Sequence, residues 1–119
     1  MTALFLTNDL VFSSRVSGAA RQAGVSLAVV ASTALLVQRC EEKGVALVIL
    51  DLSLPRLDSV ELMESLRALP NQPGAIVAYA PHVHENLLTA ATSAGCTEVL
   101  TRGQFSGQIE RILTQYVVT

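Results

Sequence analysis

Two periodicities alternate along this chain. Short apolar runs occupy residues 3–6, 27–31, 46–50, 75–80 and 98–100. The middle runs are apolar on both faces, as strands buried from two sides must be, rather than alternating between wet and dry positions. Between them lie stretches with helical spacing. Leu62, Leu66 and Leu69 mark one stripe, and Phe105, Ile109, Ile112, Leu113 and Tyr116 mark the clearest one, predicting a single last helix.

The punctuation agrees with this reading. Gly24, Gly44 and Gly95 each close a helical stretch just before the next apolar run, where a left-handed residue is expected. Ser32 and Ser59 are placed to cap the second and third helices, and Glu61 and Glu64 bring negative charge to the third helix's first turns. Pro70 and Pro73 then break the chain. There is no repeat, low-complexity tract or linker, so one domain over residues 1–119 is expected.

Five strands alternating with five helices through short connections predict an α/β fold. Its sheet has five parallel strands in the order 2-1-3-4-5, doubly wound, with helices on both faces. In that order the switch point lies between the first and third strands, and ligands bind there at the carboxyl ends of strands. Asn8 and Asp9 end the first strand, Asp51 ends the third, Tyr79 and Ala80 end the fourth, and Arg102 follows the fifth.

Composition narrows the function. Half of the residues are apolar and 15% are charged, enough for a sizeable core, and the net charge of −2 leaves no footprint for nucleic acid and no basic helix for an anionic membrane. The longest unbroken apolar stretch, residues 45–50, is far short of the roughly 20 residues a spanning helix needs. The start of the chain lacks the basic residues of a secretory leader. Cys40 and Cys96 have no metal-type spacing and read as reduced thiols, so a cytoplasmic protein is expected.

Asp51 closes the most hydrophobic run of the chain. A carboxylate there is costly unless a cation or hydrogen bonds compensate it. With Asp9 on the adjacent strand end, two hard oxygen ligands share one crevice, a donor set that suits Mg²⁺. A carboxylate beside Mg²⁺ can act as a nucleophile towards a phosphoryl group, and Arg102 would spread positive charge over the transferred oxygens. On spacing alone the plainer alternative stays open: Asp51 caps the turn into Leu52 and Ser53, and Asp9 caps the first helix.

Residues 45–60, VALVILDLSLPRLDSV, resemble the third strand and following loop of response-regulator receiver domains. Asp51, Leu54, Pro55, Leu57 and Asp58 match that family's pattern, with Ser59 in place of its Gly, and Ala94-Gly95-Cys96 before Val99-Leu100 is similar to the lead-in to its fifth strand. The resemblance implies a flavodoxin-like fold and a non-enzymatic switch in which Asp51 takes phosphate from a partner histidine kinase's phosphohistidine, at most phosphorylating itself from a donor. It also implies Mg²⁺ held by Asp9, Asp51 and the Ser53 carbonyl, with Asn8 acting through water. The departures are equally specific. Asn8 replaces one acid of the family's pair, and Arg102-Gly103 replaces a Lys-Pro. The family's small hydroxyl residue falls at Tyr79 or at Ala80, which has no hydroxyl to offer. Such an altered receiver would bind Mg²⁺ weakly and take phosphate slowly or not at all.

The remaining features weigh less. His82 and His84 read as polar loop residues without a third ligand. Tyr79 reads as a strand-end ring packed on the fourth helix with its hydroxyl in water, and only secondarily as a coupling aromatic. Thr89, Thr92, Gln108 and Gln115 leave a weakly charged face on the fourth helix, fifth strand and fifth helix, where receivers dock a partner or a second copy. Three function classes stand side by side: a phosphorylatable receiver, a phosphorylation-independent pseudo-receiver that signals by binding protein, and an anion-binding flavodoxin-like protein. The last lacks the Gly-rich loop it would want after the first strand, since residues 7–10 contain no Gly.

Overall fold

The computed structural model describes residues 2–118. Five strands, β1 (Thr2–Leu6), β2 (Ser26–Val30), β3 (Val45–Asp51), β4 (Ala75–Ala80) and β5 (Glu98–Thr101), form one sheet in the order β2-β1-β3-β4-β5, every neighbouring pair parallel. This is the architecture the alternating pattern predicts.

Why the sheet sits in the middle follows from parity. All seven residues of β3 are buried. Leu4, Leu6, Val48, Leu50, Ala78 and Ala80 face one apolar layer. Ala3, Phe5, Leu47, Ile49, Val77 and Tyr79 face the other. A side chain such as Leu50, fully buried, contributes roughly 1.5–3 kcal/mol over its exposed state, so a central strand apolar on both sides anchors both layers at once. β2 lies at an edge and is only partly buried, and it begins one residue earlier than the apolar run suggests.

The helices are α1 (Leu10–Ala23), α2 (Thr33–Glu42), α3 (Ser59–Arg67) and α4 (Glu85–Ser93), followed by the short α5 (Arg102–Ser106) and α6 (Ile109–Leu113) and a π-helical turn over Thr114–Val118. None is long and apolar enough to cross a membrane. Gly24 and Gly95 take the left-handed backbone expected of them, with φ of 73° and 91°, but Gly44 does not; α2 ends instead on an extended Lys43. Ser32 caps α2 as expected. The cap of α3 is Asp58, not Ser59: the Asp58 carboxylate accepts from the Glu61 amide at 3.1 Å, and Ser59 is the first helical residue.

The single last helix expected from the 105–116 stripe is broken. Gly107 ends α5, its N–H bonding back to the Gly103 carbonyl, and α6 restarts after Gln108. Glycine is about 1 kcal/mol poorer than alanine in a helix interior, which lets the chain step there while Phe105, Ile109, Ile112 and Leu113 stay buried. Tyr116 hydrogen-bonds Glu98 at the far end of β5, and Arg111 holds the same carboxylate bidentately at 2.7 and 2.9 Å.

One residue in the β3–α3 loop carries backbone strain. Arg56 has φ of 66°, a conformation costing an ordinary side chain roughly 1–2 kcal/mol that Asn tolerates far better. Arg56→Asn should therefore raise stability by about 0.5–1 kcal/mol in urea denaturation; an unchanged or lowered midpoint would locate the strain elsewhere.

Candidate functional site

Three strand ends converge at the carboxyl edge of the sheet. β3 delivers Asp51, whose side chain is 5% exposed. Its partners come from the two adjacent segments. Thr7, directly after β1, donates its hydroxyl to Asp51 Oδ2 at 2.7 Å. Ser53 donates both its backbone N–H, at 3.1 Å, and its hydroxyl, at 2.6 Å, to Asp51 Oδ1. The buried carboxylate is thus satisfied by three neutral donors, which is what makes a charge at the end of an apolar strand tolerable. The turn-capping alternative is part of what is found, because the Ser53 bonds do cap the turn after β3.

Thr7 is absent from the sequence-based candidates. It is 2% exposed, its amide bonds the Val30 carbonyl at 3.0 Å and so prolongs β1, and its oxygen accepts from the Asp9 amide at 3.1 Å. A signal for it exists in the parity: Ala3 and Phe5 face the α1 layer, so position 7 must point to the same side as Asp51.

Asp9 is the N-cap of α1, its Oδ1 accepting from the Phe12 amide at 2.9 Å. Its other oxygen, Oδ2, accepts from Arg102 at 2.8 Å, in an ion pair that stays substantially exposed. The Arg102 guanidinium also lies 4.7 Å over the centre of the Phe12 ring. Arg102 therefore meets Asp9 rather than Asp51 in this state. Asn8 is exposed, and its amide makes no hydrogen bond to the described residues. Beside this crevice a groove of about 500 Å³ is lined by Phe12, Arg15, Pro81, His82, Arg102 and Ser106.

Tyr79 and Ala80 are separated by the same parity. Tyr79 pairs with Asp51 in the β3–β4 register and faces the same layer, whereas Ala80 points to the opposite one. The expectation that Tyr79 packs on α4 with its hydroxyl in water is corrected here. The side chain is 1% exposed and sits on the α1 and α5 side, stacked on Phe105 at 4.6 Å with rings 2° from parallel, and with Phe12 edge-on at 5.5 Å. Its hydroxyl has no hydrogen-bond partner among the described residues. Burial pushes the phenol far above its usual range and the Asp51 charge adds to the shift, while the nearby Thr7 hydroxyl and Arg102 oppose it.

The donor chemistry fits a hard divalent cation: the Asp51 and Asp9 carboxylates and the Ser53 carbonyl are hard oxygen donors at the ends of two neighbouring strands. Every carboxylate oxygen among them already accepts from a protein donor, and Asp9 is neutralised by Arg102. His82 and His84 are exposed, and no group of three or more His, Cys, Asp or Glu that could hold a metal occurs among the described residues.

The sequence profile of the response regulator receiver domain matches residues 8–113. Among curated proteins no sequence matches the chain. Solved structures are similar throughout. One is the receiver domain of a sensor histidine kinase from Pseudomonas aeruginosa PAO1, which has a magnesium ion coordinated in its active-site cleft. It is 21% identical, with a TM-score of 0.81 over 99% of this chain and 98% of that one. Another is a response regulator from Hahella chejuensis, 20% identical, with a TM-score of 0.85 over 99% and 96%. A third is the receiver domain of a Saccharomyces cerevisiae response regulator, in co-crystal with a histidine phosphotransfer signalling protein. It is 19% identical, with a TM-score of 0.75 over 99% and 92%.

Two outcomes follow from this geometry. Thr7→Val, nearly isosteric, leaves Asp51 Oδ2 without its donor and should cost about 1–3 kcal/mol in urea denaturation; a loss below about 0.5 kcal/mol would show that the bond does not support the buried charge. Burial also raises the Cys40 thiol to about 11. Cys40 and Tyr79 both stay protonated in the folded chain while their unfolded counterparts ionise, so stability is full below about pH 9 and falls as pH rises. The loss should reach about 3 kcal/mol by pH 11 and should shrink in the Cys40→Ala/Tyr79→Phe double variant.

Proposed function

Because the chain belongs to the response regulator receiver family, we propose that Asp51 is the phosphoacceptor of a two-component signalling switch whose site is atypical. The observation that carries this reading is the placement of Asp51: a nearly buried carboxylate at the end of the central strand, held in orientation by Thr7 and Ser53, with the Asp9–Arg102 pair across the crevice. Receivers are signalling domains rather than enzymes. In phosphoryl transfer a carboxylate oxygen of Asp51 attacks phosphorus, the P–N bond of a phosphohistidine or phosphoramidate breaks, and the departing nitrogen takes up a proton. Arg102, swinging from Asp9, meets the phosphoryl oxygens and supplies the charge that a lysine supplies in the family pattern, with a wider, planar head. Asp9, Asp51 and the Ser53 carbonyl would hold Mg²⁺, with Asn8 reaching it through water. When bound, that ion offsets charge on the transferred group.

The partner is a histidine kinase or histidine phosphotransfer protein, as in the yeast co-crystal. A second copy would dock on the α4–β5–α5 face, where Leu88, Thr89, Thr92, Val99 and Leu100 line a shallow depression of about 280 Å³. A related receiver forms a beryllofluoride-activated dimer.

A second reading is favoured by the engagement of both Asp51 oxygens and of Arg102 in the resting state: a pseudo-receiver that keeps the fold and acts by binding protein without phosphorylation. Beryllofluoride with Mg²⁺ separates the two. In the phosphoacceptor reading it raises the thermal midpoint of the wild type and leaves Asp51→Asn unchanged, while phosphoramidate adds one phosphoryl mass only slowly. A wild-type midpoint indifferent to saturating beryllofluoride and Mg²⁺ would overturn it in favour of the interaction module. Prompt stoichiometric modification would show that the site is not atypical.

A further inference from the structure

Of the donors that hold the Asp51 carboxylate, Thr7 is the one that comes from another strand. Ser53 lies in the turn that Asp51 itself begins, so its N–H and hydroxyl follow the carboxylate locally. Thr7 follows Leu6, which stands in parallel register with Leu50, and it alone among the described residues donates to Oδ2, at 2.7 Å. Its own freedom is small. The residue is 2% exposed, its amide is tied to the Val30 carbonyl, and its Oγ1 accepts from the Asp9 amide at 3.1 Å. The Tyr79 phenol is within electrostatic reach of the same hydroxyl from the shared layer. With donors approaching the oxygen, its single hydrogen is left to point at Asp51.

The consequence is energetic. All the donors on Asp51 are neutral, and Arg102 is turned to Asp9 instead. A hydrogen bond to a carboxylate is worth more than the same bond to a neutral acyl oxygen. Once Asp51 carries a phosphoryl group, one of its oxygens bridges to phosphorus and the other becomes a neutral carbonyl. Whichever of these Oδ2 becomes, Thr7 is left with the weaker bond, and the amide and strand contacts that aim its hydroxyl at Asp51 keep it from following the charge. It therefore favours the free carboxylate over the modified one. The same bias acts on loss of the group. Water attacks phosphorus, the P–O bond to Asp51 breaks, the carboxylate leaves with the bonding electrons, and the attacking water passes a proton to phosphate or solvent. Negative charge grows on the Asp51 oxygens along that path, and a donor fixed on one of them lowers the barrier.

We propose that Thr7 is a positioning residue that shortens the life of the modified state: its hydroxyl holds the acceptor as a free carboxylate and draws the phosphoryl bond towards cleavage. This rests on the reading of Asp51 as phosphoacceptor. A threonine confined to supporting the fold would cost stability when replaced but would leave the balance between free and modified Asp51 where it was.

The test uses two pairs that each differ by the hydroxyl, wild type against Thr7→Val and Thr7→Ser against Thr7→Ala, the second pair serving if valine prevents folding. Beryllofluoride, whose beryllium bonds a carboxylate oxygen, is titrated at saturating Mg²⁺ by thermal shift. Chains phosphorylated with phosphoramidate are then freed of donor and followed by intact mass. In each pair the member without the hydroxyl should bind beryllofluoride about 10-fold more tightly and lose its phosphoryl group about 10-fold more slowly, although unliganded it melts lower. Equal affinity and equal lifetime within both pairs overturn the role of Thr7 and leave Asp51 as acceptor. Weaker binding or faster loss without the hydroxyl also overturns it, because Thr7 would then be holding the modified state. If the wild type neither binds beryllofluoride nor takes up a phosphoryl group, the acceptor reading itself falls and takes this inference with it.

Discussion

Burying one carboxylate at the end of an otherwise apolar strand is the constraint from which the rest of this structure can be read. β3 is buried along its whole length because helices cover both faces of the sheet, and that same coverage withdraws Asp51 from water. A charge so placed has to be compensated by nearby donors. Thr7 and Ser53 provide them, and each can do so only because of backbone geometry: Thr7 because β1 lies beside β3 in parallel register, Ser53 because the chain turns immediately after Asp51. The order of strands, the parity of β1 and the turn after β3 are therefore all conditions for one stable anion.

The layer beneath that anion is aromatic. Phe5, Phe12, Tyr79 and Phe105 touch in a cluster fed by two strands and two helices, with ring centres 4.6 to 6.4 Å apart. Three of the four have no polar atom, so they keep the region beneath Asp51 dry and strengthen whatever electrostatic interactions form above them. Arg102 rests on the Phe12 face as well as on Asp9, so its position depends on ring and charge together. The opposite layer has no aromatic ring among the described residues: it is built of aliphatic and sulfur-bearing side chains around Leu36, Cys40, Leu50, Leu62, Met63 and Leu66. The two faces of the sheet thus divide between chemistry and packing.

Much of this was legible in the residues. The five apolar runs gave the strands because a strand buried on two sides leaves no ambiguity of period, and the switch-point rule then drew attention to Asp9, Asp51 and Arg102 at the correct edge. What escaped has specific causes. Thr7 is a lone polar residue after an apolar run, and only the register with β3 gives it meaning. Tyr79 belongs to the α1 layer through the parity of β4, which a position at the strand end just before the α4 loop does not reveal by itself. The final helix broke where a glycine interrupts an unbroken apolar stripe, since a stripe fixes which face is buried but not whether the backbone runs continuously beneath it. Asp58 and Ser59 are both good caps, and adjacency alone could not choose between them.

The carboxylate of Asp9 divides its labour between its two oxygens. Oδ1 is structural, holding the first turn of α1 through the Phe12 amide, while Oδ2 faces outward and is held only by a half-exposed guanidinium. Exchange at the outer oxygen can therefore proceed without uncapping the helix, and the amide analogue, itself a good cap, would keep the scaffold while erasing the charge. Architecture and reactivity are separable within a single side chain, so the electrostatics of this crevice are free to drift without endangering the fold that presents them.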